Sequence, residues 1–160
     1  MFYRGKQFFQ GLTAKIHERD LDFIEIYLSP EEKELFSQLR KSEQRHSLNV
    51  AYGCQEKVPH DRELIQAALL HDIGKIGSNL TLMNKSFVVL AQALKLPHQV
   101  LPSFLKKAMY FKNYHAELGY RLLNNLPLSE KVLFLVRNHH KKNDNSIKEM
   151  TILQCYDDKY

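Results

Sequence analysis

The chain has 160 residues, 44% hydrophobic and 26% charged, the make-up of a globular domain large enough to bury a core; no apolar run approaches the length of a membrane span, and the N-terminus turns polar too soon for a signal peptide or anchor. A formal charge of +5 suits anionic ligands, but the basic residues are scattered rather than clustered, which argues against a nucleic-acid binder and leaves small phosphate-bearing partners. Cys54 and Cys155 have no CxxC partner, so they read as reduced core residues of a cytoplasmic protein rather than a disulfide or a zinc knot.

Glycine is scarce, proline sits at junctions, and Val, Ile and Thr never alternate between hairpin turns. The fold is therefore predicted to be all-α, a helical bundle in a single domain over 1–160, with helices of 1–44 packed on a core of 45–158. An opening helix is predicted over about Gly5 to His17, with Phe8, Phe9, Leu12 and Ile16 on one face. A short one follows over Leu21 to Tyr27, capped by Asp20. Ser29-Pro30-Glu31-Glu32 combines a Ser N-cap, Pro at the first helical position and Glu at the third, a strong start signal. A break is expected near Lys41-Ser42, and the helical pattern resumes from Arg45 until Val58-Pro59. Asp61 is placed to cap the next helix, which runs through Ala67-Ala68-Leu69-Leu70 into His71-Asp72. Gly74 is read as its stop, with Lys75 left beside the pair as a mobile positive charge.

Ser78 to Pro102 is the least regular segment, with one helix predicted over Phe87 to Leu96 and stopped by Pro97. Another is predicted over Tyr114 to Asn124. Leu126-Pro127-Leu128-Ser129 is a turn, and Val132, Leu133, Leu135 and Val136 build a helix ending in His139-His140. A polar loop, Lys141 to Asn145, leads to a last helix over Ser146 to Asp158.

Five of these helices bring imidazole or carboxylate: His46, His71-Asp72, His115, His139-His140 and Asp157. Imidazole with carboxylate and no thiolate fits a borderline or hard divalent ion doing hydrolysis better than a structural zinc site. Single histidines such as His17, His60 and His98 are ordinary surface or core residues and are assigned no function. A coincidence of all seven residues, in order and on separate helices, is much harder to accept than any one of them.

His46 … His71-Asp72 … Asp157 resembles the H…HD…D signature of the HD-domain metal-dependent phosphohydrolases, in its HDIG form at residues 71–74. With His115 and His139-His140 the order is similar to the fuller H…HD…H…HH…D pattern of two-metal members, among them the HD-GYP cyclic-di-GMP phosphodiesterases. Local wording agrees over Arg45-His46-Ser47-Leu48-Asn49-Val50-Ala51, over Ala68 to Lys75, and over His115 to Leu123.

The resemblance implies an HD-type helical bundle in which His46, His71, Asp72 and Asp157 hold a first ion. Asp72 bridges to a second ion held by His115, His139 and His140, and metal-activated water attacks phosphorus. Fe or Mn is the leading metal, with Mg, Zn, Ni or Co as alternatives. Lys75 matches the lysine closing the HDxxK version of the motif and would neutralise charge on the phosphoryl oxygens; it is otherwise a cation answering the helix dipole. His140 is a ligand or else a hydrogen-bond partner of one. Asp157 is preferred to Asp158 by its spacing after Ile152-Leu153. Arg45, beside a ligand, is added as a phosphate contact on adjacency alone.

Two departures narrow the reading. Residues 141–145 read Lys-Lys-Asn-Asp-Asn, with no Gly-Tyr-Pro, which removes the support for cyclic-di-GMP. Three-metal members also place a Glu one helical turn before the first histidine; that position is Ser42 here, so two ions are expected. The expected activity is hydrolysis of a small phosphate ester, a nucleotide in particular. The alternative is a catalytically silent module that binds metal or nucleotide for regulation, and an oxygenase is a third, smaller option.

Overall fold

The protein is described here by a computed structural model covering residues 15–78, 93–94, 97, 101–141 and 147–160. Among these residues there are seven α-helices and no strand: α1 Glu18–Tyr27, α2 Pro30–Gln38, α3 Lys41–Lys57, α4 Arg62–Leu70, α5 Ser103–Leu123, α6 Glu130–Asn138 and α7 Lys148–Lys159. A single 3-10 turn, Ile73–Lys75, follows α4. No helix among them is long and apolar enough to cross a membrane.

Caps explain most boundaries. Ser29 accepts from the Glu32 amide while Glu32 accepts from the Ser29 amide at 3.0 Å, a complete capping box ahead of Pro30. Asp61 accepts from Leu64 N at 3.0 Å at the head of α4, and Ser129 from Val132 N at 3.3 Å at the head of α6. The chain breaks at Leu39-Arg40, just before the predicted Lys41-Ser42, because both residues take extended backbone angles.

α4 is the centre of the molecule. Leu64, Ile65, Ala67, Ala68, Leu69 and Leu70 are all fully buried, and only Arg62, Glu63 and Gln66 leave a short polar edge near its start. It packs on α3 and α6, with α1, α2 and α7 closing around it. Each of its leucines contributes about 1.5–3 kcal/mol of apolar burial. α3 meets it with Leu48, Val50, Ala51 and Cys54, α6 with Val132, Leu135 and Val136, and α7 with Met150 and Leu153.

Several expectations are corrected. Residues 15–17 are not helical, and the rest of the opening helix predicted over Gly5 to His17 lies outside the described residues. α1 starts at Glu18 with His17 as its N-cap, so Asp20 sits inside the first turn as the third residue, its carboxylate closing a capping box on the His17 amide. Asp20 is fully buried, and its carboxylate is committed to Arg45 and Tyr52. Gly74 is no helix stop: it lies in the 3-10 turn, pressed against α5, where a Cβ would overlap the carbonyl of His115. Glycine with positive φ is found instead at Gly77, φ 72°.

α5 begins at Ser103, well before the predicted Tyr114. Exposed Phe104, Tyr110 and Tyr114 on its outer side blur the apolar period that would have revealed it. The helix predicted over Phe87 to Leu96 falls almost entirely outside the described residues, as does most of the Lys141 to Asn145 loop. Of the cysteines only Cys54 is core, its thiol pushed up to about 12 by burial; Cys155 is exposed on α7.

Candidate metal centre

Five helices deliver the donors to one point. His46 comes from the first half of α3, His115 from the second half of α5 and Asp157 from the last turn of α7. His71 is the C-cap of α4 and keeps helical backbone angles, whereas Asp72 has φ −96° and ψ 7°, a bridge conformation that opens the 3-10 turn. That change of pitch aims two adjacent side chains at the same place. His139 ends α6 and His140 follows it.

The donor atoms fall into overlapping groups, each with all members within 4.8 Å of one another: His46, His71 and Asp72; His71, His139 and Asp157; and Asp72, His115, His139 and His140. Asp157 Oδ1 lies 2.9 Å from His46 Nε2 and 3.4 Å from His71 Nε2. Asp72 faces both sides: Oδ2 is 3.6 Å from His71 Nε2 and 3.8 Å from His46 Nε2, and Oδ1 is 3.3 Å from His115 Nε2. His115 Nε2 in turn is 2.8 Å from His140 Nε2 and 3.3 Å from His139 Nε2.

The backbone sets the tautomers. His71 Nδ1 donates to Ala68 O at 2.8 Å, His115 Nδ1 to Phe111 O at 2.9 Å, and His139 Nδ1 to Val136 O at 2.7 Å. A carbonyl only accepts, so each Nδ1 carries a proton and each Nε2 faces the centre, where it presents a lone pair whenever the ring is neutral. Nitrogen lone pairs facing one another at 3.3 Å repel unless a cation lies among them. His71 Nε2 and Asp72 Oδ1 are moreover buried with no hydrogen-bond partner, a costly state for ligand atoms that a cation relieves. The residues present thus fit divalent metal.

Electrostatics agree with that chemistry. Burial, then the charges of neighbouring histidines, holds His139 well below the usual imidazole range, and burial with His115 lowers His140 to about 4. Both are neutral, the form in which imidazole binds metal. His71 goes the other way, to about 9, because the charges of Asp72 and Asp157 outweigh its burial. Burial opposes ionisation of Asp72 and Asp157, yet both stay far below the ordinary carboxylate range, Asp72 through Lys75 and His71, Asp157 through His71 and His46. Without a metal, a proton on His71 and the Lys75 ammonium supply the positive charge this pair of carboxylates requires.

Lys75 reaches Asp72 Oδ2 at 2.5 Å, so it belongs to the centre rather than to a helix end. Arg45 does not join them. Its guanidinium bonds Asp20 and the carbonyl of Lys15, tying α1 to α3. His17 and His60 are exposed and stand apart from the site, and His98 lies outside the described residues.

One residue escaped the sequence reading. Glu43 is buried on α3, three positions before His46 and hence on the same helical face, with Oε2 3.7 Å from Lys75 Nζ. The i,i+3 spacing from His46 is the signal that the sequence offers for it.

A helical fold with histidines and aspartates arranged in this order and geometry defines a metal-binding class. The family model described as "HD domain" matches residues 44–158, and the chain belongs to the HD domain family. Among curated proteins and solved structures, none matches it.

Proposed function

We propose that the protein is a metal-dependent phosphohydrolase or phosphodiesterase of the HDIG type, acting on a small phosphate ester, and on a nucleotide in particular. The observation that carries the reading is Asp72, a fully buried carboxylate whose two oxygens face two different sets of imidazoles. His46, His71, Asp72 and Asp157 would hold one divalent ion, and Asp72, His115, His139 and His140 a second. Oxygen with neutral imidazole and no thiolate favours Fe or Mn, with Mg, Zn, Ni or Co compatible with the same donors. Such ions, when bound, supply Lewis acidity toward a phosphoryl oxygen and lower the pKa of water to near neutrality.

The chain's own residues do the rest. Carbonyls of Ala68, Phe111 and Val136 hold the protons of His71, His115 and His139 away from the centre and freeze the ring orientations. Lys75 places a permanent cation at the edge of the site, where charge grows on the phosphoryl oxygens during attack. His140 is the one exposed member of the set, which makes its side the approach for substrate. The buried end of α4, Ala67 to Leu70, sets His71 in apolar surroundings.

The test is hydrolysis of a generic aryl phosphodiester by protein loaded with Mn²⁺ or Fe²⁺, beside an Asp72→Ala variant. Turnover in the wild type and background in the variant is expected. Metal bound in the wild type with turnover in neither protein would replace the enzyme with a silent metal-binding regulatory module.

A further inference from the structure

We propose that Glu43 is a positioning residue for Lys75, holding its ammonium at the phosphate edge of the metal centre whenever Asp72 is engaged by metal. The inference rests on the phosphohydrolase reading and adds to it a residue outside the histidine–aspartate set.

The argument begins with the partners of Lys75. Its Nζ lies between two buried carboxylates, 2.5 Å from Asp72 Oδ2 and 3.7 Å from Glu43 Oε2. Asp72 belongs to two of the metal-competent groups, so both of its oxygens are claimed by cations when the site is loaded. A carboxylate drawn off by two divalent charges no longer serves as the countercharge of Lys75, and the ammonium is repelled by the same ions. Were Asp72 its sole anchor, Lys75 would swing out to solvent, since its side chain is 17% exposed and flexible.

Glu43 prevents this. It is only 3% exposed, rooted on the rigid α3 one turn before His46, and outside every metal-competent group. A carboxylate there gives the ammonium a second, fixed partner besides Asp72. The ion pair also explains why a glutamate is tolerated in a buried position: it is compensated by a charge that function keeps in place. Lys75 is then free to direct its remaining N–H groups toward a phosphate oxygen.

The experiment is a double-mutant cycle on the affinity of the Mn²⁺-loaded protein for inorganic phosphate, measured by calorimetry, with metal content determined for each variant. Glu43→Gln is expected to keep the wild-type metal content and to weaken phosphate binding by about tenfold, the size of one charge-assisted hydrogen bond. In a Lys75→Met background, Glu43→Gln is expected to change nothing further. A purely structural glutamate would weaken binding equally in both backgrounds, and that additivity would overturn the proposal. So would unchanged affinity in Glu43→Gln, or loss of one metal equivalent, which would make Glu43 a ligand. Should Glu43→Gln not fold, Glu43→Asp, which keeps the charge and shortens the reach, substitutes with the same expected direction. Wild-type protein that holds metal and binds no phosphate is a distinct result: it removes the phosphohydrolase reading, and this inference with it.

Discussion

Asp20 carries more of the fold than its place in a short helix suggests. Its carboxylate accepts from the Tyr52 hydroxyl at 2.8 Å, from the His17 amide at 2.7 Å and from the Arg45 guanidinium, and the residue is fully buried. Burial alone would raise its pKa, but hydrogen bonds from Arg45, His17 and Tyr52 together hold it below the ordinary value. The native pKa is therefore lower than the unfolded one. The pair stabilises the fold above about pH 4, and that contribution disappears as pH falls from there through the native value. Asp20→Asn is expected to cost about 3 kcal/mol near neutrality, because it leaves the Arg45 guanidinium largely buried without its charge partner. Urea unfolding at pH 7 and pH 3 checks both points: the difference between wild type and variant should shrink at the lower pH. A difference that stays constant would mean that packing, not charge, is what the substitution removes.

At the scale of elements, the contact between the 3-10 turn and α5 sets the geometry of the centre. Gly74 and Gly119 allow the two backbones to meet: a Cβ on Gly74 would overlap the His115 carbonyl and lie 2.5 Å from Gly119 N. His115 is also the donor that links Asp72 to His139 and His140. Gly74→Ala is thus expected to destabilise by about 1–3 kcal/mol through overpacking. It should also reduce the metal held by Asp72, His115, His139 and His140, since α5 must shift away from the turn. Denaturant midpoints and metal content per chain measure the two effects; an alanine that lowers neither would show that the turn has room to move. The predicted C-terminal stop at Gly74 misread the reason for the glycine. Helix grammar sees a residue without a side chain after a helix, while the need for it comes from a strand of backbone more than forty positions later in the chain.

For the whole molecule, the centre joins α3, α4, α5, α6 and α7, so whatever binds there ties the bundle together. Ligand that binds only the native state stabilises it by about 2.7 kcal/mol at a hundred times its dissociation constant. A domain of this size should then melt roughly 5–10 °C higher when loaded with Mn²⁺ or Fe²⁺ than after chelation. Asp72→Ala is expected to abolish that shift. Calorimetric scans of both proteins with metal and with chelator provide the measurement, and an unchanged wild-type melting temperature would argue that no ion binds.

The residues that meet at the centre were legible in the sequence because chemistry constrains residue type and order: His46, His71-Asp72, His115, His139-His140 and Asp157 are the types that could hold a divalent metal. Local grammar was equally plain where it acts over one turn, as in the Ser29–Glu32 box, the Asp61 cap and the apolar run Ala67-Ala68-Leu69-Leu70 at the end of α4. What tertiary structure alone decided is which atoms meet. His46 and Asp157 touch across 111 residues, and no local signal encodes that approach. Arg45 and Glu43 both precede His46 on one helix, yet Arg45 turns to Asp20 on α1 and Glu43 to Lys75 at the centre. Neighbours in sequence were sorted by helix face and by the charges waiting on other elements, because a buried charge goes where its countercharge lies.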